Sequence, residues 1–357
     1  MPRAREAALR AFARRILLAN GLEAAEAATI ADCLVQANLR GVDSHGALRL
    51  IQYTDALGAG LINARPAVAV VRRRGATALL SADNGYGFTP TLRAVELGVE
   101  LASEHGIGMV GIQRSHHFGM AATYVLKVAE QGYIGLLMTT SLPVLPPPGG
   151  LQPRLGNNPI ACGIPTRPPR PPIVLDMALS QVAFGKVRLA AAEGRPIPLG
   201  WANDERGQPT TDSAAALRAG LLAPVGGYKG YGLALMTEVI AGIVPGALFG
   251  LRSDAHGDRA GSVGHTLIVI DPTCFVEREQ FYDDLEQLIA EVKSVPLSEG
   301  APPVYLPGEI ERGTLEERQA HGIPLSDELT RQLQALAARL GVEPLQIESS
   351  GDDVAGV

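Results

Sequence analysis

Gly106-Ile107-Gly108-Met109-Val110-Gly111 matches, letter for letter, the GxGxxG spacing of a dinucleotide-binding turn, and its reading decides the fold. That turn works only when a strand precedes it and a helix N-terminus follows, so that main-chain amides meet a pyrophosphate. Here the pattern predicts a helix from Pro90 to about His105 before the glycines and a strand, Gly108 to Gln113, running through them. A Rossmann turn is therefore excluded. The neighbouring Gly85-Tyr86-Gly87-Phe88-Thr89-Pro90 comes close but ends in proline, with no strand–turn–helix order around it.

Working outward, Val68 to Val71 and Ala78 to Ser81 read as strands around a basic turn, Arg72 to Gly75, and Asp83 to Gly87 as the turn into the Pro90 helix. A loop, Arg114 to Gly119, a helix, Met120 to Gln131, and a strand, Ile134 to Thr140, extend an alternating αβαβ run. Upstream, residues 4–40 read as two helices separated by Asn20-Gly21. Downstream, the proline-rich stretches 145–150 and 167–172 are loops. They are followed by a buried strand, Ile173 to Asp176, and a helix, Ser180 to about Ala192. Residues 193–226, with Trp201, look irregular; Gly230 to Ile243 reads as a core helix and Thr266 to Ile270 as a strand. Glu277 to Val292 and Asp327 to Leu340 read as amphipathic helices, and Ser349 to Val357 as a small, acidic, frayed tail. The expected division is a helical domain, 1–75 with 277–345, an α/β domain, 76–276, and a tail, 346–357.

A chain of 357 residues is long for one core. A net charge of −6 and 4% aromatic content argue against a nucleic-acid or anionic-membrane partner, which would want a basic face or stacking rings. Cys33, Cys162 and Cys274 fit neither a zinc spacing nor a disulfide framework and read as buried free thiols. No metal site is expected. With a charged N-terminal helix and no apolar run of membrane-spanning length, the expected compartment is the cytoplasm.

Three polar clusters carry candidate chemistry. In Gly41 to Leu50, Asp43 or Ser44 can cap a helix on which His45 and Arg49, four apart, share one face. A proton donor beside a guanidinium suits an enzyme acting next to a carboxylate; the alternative is a solvated surface helix. Arg114-Ser115-His116-His117-Phe118-Gly119 is a loop after a strand, where His117 is either a ligand group or a hydrogen-bonded loop residue. Gly226-Gly227-Tyr228-Lys229-Gly230-Tyr231-Gly232 opens an apolar helix with one lysine that either cradles a phosphate or is simply solvated. Ser44-His45 does not read as a nucleophile–base pair, since adjacent side chains on a helix diverge. There is no GxSxG elbow, phosphate loop or HExxH.

Taken together, these clusters resemble the type 2 malate/L-lactate dehydrogenase family, which includes ureidoglycolate, sulfolactate and diketogulonate enzymes and cyclic ketimine reductases. The matching pieces are Asp43-Ser44-His45-Gly46, Ser115 to Gly119, Gly156-Asn157-Asn158-Pro159-Ile160-Ala161 and Leu175-Asp176-Met177-Ala178. Pro209-Thr210-Thr211-Asp212, Gly226 to Gly232 and Pro307-Gly308-Glu309 follow in family order. The resemblance implies an α/β, non-Rossmann NAD(P)-binding malate/L-sulfolactate dehydrogenase-like fold with a helical domain, in a homodimer. It implies NAD or NADP as cofactor, with NAD favoured. By motif, His45 resembles the proton donor, oriented by Ser44, and Arg49 the carboxylate clamp. His117 stands at a position that acts as acid/base in some members and meets the cofactor in others, and Asn157 at a substrate-contacting position. His117, Phe118, Gly119, Met120, Ala121, Ser141, Asp176, Met177, Ala178, Tyr228, Lys229, Pro307, Gly308 and Glu309 resemble cofactor contacts. Two departures, Thr140 where asparagine is expected and Pro148 where an aromatic is usual, bear on the ligand pocket.

The expected reaction is hydride transfer between nicotinamide and the α-carbon of a small 2-hydroxy/2-oxo acid, with no nucleic acid or membrane as partner. One alternative is reduction of a cyclic ketimine such as piperideine-2-carboxylate. Those members carry Gly-Asp where this chain has Gly185-Lys186, and Lys186 suits an anionic oxo acid rather than a cationic iminium. The other alternative is a non-catalytic binding protein on the same fold, against which intact His45, Arg49, His117 and Lys229 weigh.

Overall fold

The computed structural model describes residues 1–252 and 263–348. Helices α1 (Glu6–Ala19) and α2 (Ala24–Leu39) open the chain, followed by a 3-10 turn, Asp43–His45, and α3 (Arg49–Gly58). Strands β1 (Ala69–Arg74) and β2 (Thr77–Gly85) pair before α4 (Phe88–His105), β3 (Ile107–Ser115), α5 (Ala122–Ala129) and β4 (Ile134–Thr139) alternate. Next come β5 (Ile160–Ile164), β6 (Ile173–Met177), α6 (Phe184–Ala192), α7 (Ser213–Ala219) and α8 (Tyr228–Thr237). Helix α8 runs on as a π-helical segment, Glu238–Ile243. After it come β7 (Val263–Ile270), α9 (Arg278–Lys293), α10 (Glu309–His321) and α11 (Asp327–Leu340).

The main sheet has seven strands in the order β1-β2-β3-β7-β4-β5-β6. Only β2 and β3 run parallel; every other neighbouring pair is antiparallel. The αβαβ alternation therefore does not build a parallel sheet, because β7 enters from far along the chain between β3 and β4. Leu267 and Val269 on β7 are fully buried, as is Thr266 on the opposite face, which suits a central strand covered on both faces. The glycine run has a structural use. Gly106, at φ +81°, ends α4 in the left-handed conformation, and a Cβ on Gly108 would lie 2.4 Å from the Gly98 carbonyl. These glycines let β3 lie against α4 and face no helix N-terminus.

Three apolar clusters form the interior. One joins α1, α2 and α3 with Tyr86, Phe88 and α11; one lies between the sheet and α4–α5; the third gathers Leu145, Leu179, Val187, Ile197, Ala202 and Ala234. Several expectations are corrected here. The span 193–226 is ordered, with a three-stranded sheet and α7, whose Asp212 cap accepts the Ala214 and Ala215 N–H groups. Ile173–Met177 is an edge strand with Leu175 and Asp176 exposed. The α8 helix is not a core helix, since Tyr228, Leu233 and Met236 are exposed. Helix α10 was not foreseen. Only Cys33 is buried, while Cys274 is exposed.

β1 belongs to the sheet, and α9 engages the 167–172 loop through Arg167 to Asp283 (2.5 Å), so both side with the α/β part rather than with the helices. Glu348 is tied to Arg3 by a 2.9 Å main-chain bond, whereas the expected frayed tail, 349–357, lies outside the described residues. Among the described residues no helix is long and apolar enough to cross a membrane, and no group of three or more His, Cys, Asp or Glu could hold a metal.

Candidate active site

The expected helix carrying both His45 and Arg49 does not form. The 3-10 turn Asp43–His45 ends at Gly46 (ψ −148°), and α3 begins only at Arg49, with no side-chain cap. The reason is Asn38, buried on α2. Its Oδ1 accepts the Ala47 N–H at 2.8 Å, its Nδ2 donates to Asp43 Oδ1 at 2.6 Å, and a Cβ on Gly46 would collide with it at 2.3 Å. Asp43 is therefore no cap: its carboxylate takes a two-pronged grip from Arg318 on α10, at 2.7 and 3.0 Å. The tight turn also brings the Ser44 hydroxyl to 2.9 Å from His45 Nδ1, a contact that a regular helix would forbid.

Long-range packing then assembles the centre. The β3–α5 loop places His117 against His45, with ring centroids 5.3 Å apart and planes 22° from parallel. The Tyr53 hydroxyl, from α3, lies 2.6 Å from His117 Nδ1, which also accepts the Gly119 N–H at 3.3 Å. An amide can only donate, so Nδ1 of His117 is the acceptor and its neutral proton sits on Nε2. Among the described residues nothing hydrogen-bonds Nε2 of either imidazole. Arg49 donates from Nε to the Ser44 carbonyl (2.7 Å) and from Nη1 to Gln52 (2.7 Å), and meets no carboxylate among the described residues. Its remaining N–H groups present an end-on fork for an anion.

The electrostatics follow from burial beside an unneutralised cation. Burial, and behind it the Arg49 charge, pulls His45 down to about 4. Burial drives His117 well below the ordinary imidazole value, with Arg49 and His45 adding to it. Burial raises the Tyr53 phenol, so Tyr53 stays a neutral donor. Both imidazoles are thus neutral at pH 7.

The other expected residues fall into two connected strips. In the first, Asp176 accepts the Ala122 N–H at 2.8 Å and the Ala121 N–H, joining the His117–Ala121 loop to Asp176-Met177-Ala178. Asp176 keeps exposed surface on this edge strand, yet the protein packed around its carboxyl raises it to about 6, by desolvation first. Pro307-Gly308 runs beside β6, the Pro307 carbonyl accepting the Val174 N–H at 3.0 Å, and Glu309 pairs with Lys293 at 2.7 Å. The Phe118 ring is core, stacked between His265 and Tyr124, which leaves its main chain for any ligand. In the second strip, Ser141 Oγ donates to Asn157 Oδ1 (2.7 Å), Leu179 N–H to the Asn157 carbonyl (2.7 Å), and Val225 N–H to the Leu179 carbonyl (3.0 Å). That links Asn157 to the turn before Tyr228 and Lys229, both exposed at the start of α8, where Lys229 makes no ion pair with a described residue.

Lys186 is exposed on α6 and makes no side-chain bond to a described residue; two residues on along the same helix, Arg188 lies within electrostatic reach of Arg49. Thr140 is buried, with its hydroxyl accepting the Gly264 N–H at 3.0 Å, and Pro148 is exposed. Sequence reasoning missed Tyr53, Arg188 and His265. The periodicity of α3 places Tyr53 one turn beyond Arg49, which was a usable signal. His265 offered none, since its partners Ser115 (2.9 Å) and Thr139 (2.7 Å) are more than a hundred residues away.

The malate/L-lactate dehydrogenase family model matches residues 5–334. The chain is 37% identical to a malate dehydrogenase of Pyrococcus horikoshii over 94% of each chain. It is 36% identical to an L-sulfolactate dehydrogenase of Methanothermobacter thermautotrophicus, over 92% of this chain and 94% of that one. The solved P. horikoshii malate dehydrogenase superposes with a TM-score of 0.88 at 35% identity, over 96% of this chain and 97% of that one. The delta1-piperideine-2-carboxylate reductase of Pseudomonas syringae superposes at 0.84 with 31% identity, over 94% of this chain and all of that one.

Proposed function

This chain belongs to the malate/L-lactate dehydrogenase family, and from that premise we propose that it transfers a hydride between a nicotinamide and the α-carbon of a small 2-hydroxy/2-oxo carboxylic acid. The observation that carries the reading is the stacked His45–His117 pair beside Arg49, which meets no carboxylate among the described residues.

Arg49 grips the substrate carboxylate through its end-on fork and fixes which carbonyl face is presented. In the reducing direction the carbonyl oxygen gains negative charge, and His45 delivers a proton from Nε2 while Ser44 holds Nδ1. Burial is the main cause depressing His45 and the Arg49 charge the second; a bound carboxylate offsets the second and so favours proton uptake with the substrate anion. In the oxidising direction neutral His45 is already a base. The nicotinamide, when bound, supplies or takes the hydride. His117 to Ala121, Ser141, Asp176 to Ala178, Tyr228, Lys229 and Pro307 to Glu309 would hold it, and the exposed Lys229 beside a glycine turn fits an anionic pyrophosphate. NAD is the favoured cofactor on the family resemblance.

Arg188 near Arg49, with Lys186 on the same helix, favours an acid bearing a second anionic group over a cationic ketimine. The exposed apolar side chains of α8 fit burial against a second copy in a homodimer, which light scattering would test. The central test is a panel assay with NADH and NADPH against oxaloacetate, pyruvate, sulfopyruvate and piperideine-2-carboxylate. Turnover of oxo acids, dianions best, is the expected result. Turnover of the ketimine alone would transfer the chain to the reductases, and nicotinamide binding without turnover would make it a binding protein.

A further inference from the structure

We propose that Glu238 is a positioning residue for the Ser141–Asn157 pair, acting through the buried amide of Asn158. This rests on the reading that Asn157 meets substrate.

Glu238 is 4% exposed and opens the π-helical segment at the end of α8. Single π turns inside helices recur at functional sites because the extra residue re-aims side chains. Each Glu238 oxygen has one donor: Oε1 accepts the Gly250 N–H at 2.7 Å and Oε2 accepts Asn158 Nδ2 at 2.5 Å. Among the described residues no basic side chain pairs with it, so it is not half of a buried ion pair.

Asn158 is fully buried and holds a φ of +32°, a conformation rare outside glycine. Its Nδ2 also donates to the Ala234 carbonyl at 3.0 Å. Both amide hydrogens therefore point at groups that can only accept, and the amide cannot flip. Its Oδ1 must face the Ser141 N–H, 3.1 Å away. Ser141 Oγ in turn accepts the Asn157 N–H at 3.0 Å and donates to Asn157 Oδ1 at 2.7 Å. The orientation of the Asn157 side chain thus descends from Glu238 through three successive contacts.

An acceptor-only group is required at the head of this relay. A glutamine would turn an N–H toward either Gly250 N–H or Asn158 Nδ2, leaving a buried donor unmet. A carboxylate buried without a cation carries a desolvation cost that a neutral side chain would avoid, and that cost is consistent with a demand for two acceptors.

The test uses the full-length protein with Glu238→Gln, Asn158→Asp and the double variant. The readouts are kcat and KM for an oxo acid that the unmodified protein reduces, thermal midpoints, and hydrogen exchange at the Ser141 and Asn157 amides. Glu238→Gln is expected to lower kcat/KM about tenfold, chiefly through KM, with faster exchange at both amides and a lower midpoint from the unmet donor. Asn158→Asp sets two carboxylates face to face and should lose more. Adding Glu238→Gln to it supplies a donor and should recover activity, a reversal of sign that shows the two side chains act through their mutual contact. Unchanged KM and unchanged exchange in Glu238→Gln would overturn the relay. An unmodified protein inactive on every oxo acid would overturn the functional reading instead, while the exchange data would still judge the relay.

Discussion

The rings of His45 and His117 stack at 5.3 Å, although 72 residues separate them, so two imidazoles and one guanidinium share a single site. The pair poses the question of which ring moves the proton. Ser44 holds His45 Nδ1, while Tyr53 and Gly119 hold His117 Nδ1, and Arg49 stands beside the first. On that geometry His45→Ala should lower kcat by roughly a hundredfold to ten-thousandfold with cofactor affinity retained. His117→Ala should mainly weaken nicotinamide binding. Near-normal turnover in His45→Ala, with turnover abolished in cofactor-bound His117→Ala, would reverse the two roles.

The pH dependence follows from the depressed His45. Its imidazole, at about 4, is neutral over most of the accessible range. With chemistry rate-limiting, kcat/KM for oxo-acid reduction, which needs the proton, should fall as pH rises through neutrality. That for hydroxy-acid oxidation should hold until pH approaches 4 and fall below it. A reduction rate that stays flat from pH 5 to 8 would remove His45 as the group that sets the profile.

Arg49→Lys keeps the charge but loses the planar fork, so KM for the oxo acid should rise and kcat drop together. Arg188→Ala should raise KM for oxaloacetate about tenfold more than for pyruvate, because only the former carries a second anion. Equal effects on both substrates would place Arg188 outside the pocket.

Lys229→Ala should weaken NADH binding without moving the thermal midpoint, as its side chain is exposed and bonds to no described residue. Fluorescence titration gives the answer; unchanged dissociation constants for both NADH and NADPH would exclude the turn from the cofactor site.

His265 predicts how acid unfolds the protein. It is fully buried between Ser115 and Thr139, and burial lowers it to about 3 from 6.5. The unfolded chain takes up a proton first, so the stabilisation from the neutral ring is complete above pH 6.5 and is lost as pH falls toward 3. The loss is on the order of a few kcal/mol. His265→Gln should flatten the slope of stability against pH between 6.5 and 4 whatever it does to stability at pH 7. An unaltered slope would assign acid sensitivity to other groups.

The family was legible in the sequence, as were the residues proposed for the site, because each motif is a short contiguous run whose residue types carry its chemistry. Rejection of the Gly106–Gly111 motif also needed only local information, since a helix before the glycines and a strand through them are read from periodicity. Tertiary structure decided what contiguity cannot encode. Asn38, on a different helix, breaks the expected His45–Arg49 helix by offering Ala47 a side-chain acceptor. β7 slots between β3 and β4, so His265 bridges Ser115 and Thr139, and Glu238 reaches Asn158 across 80 residues. In each case a buried polar group must find its partner wherever packing brings one, and no spacing along the chain records that encounter.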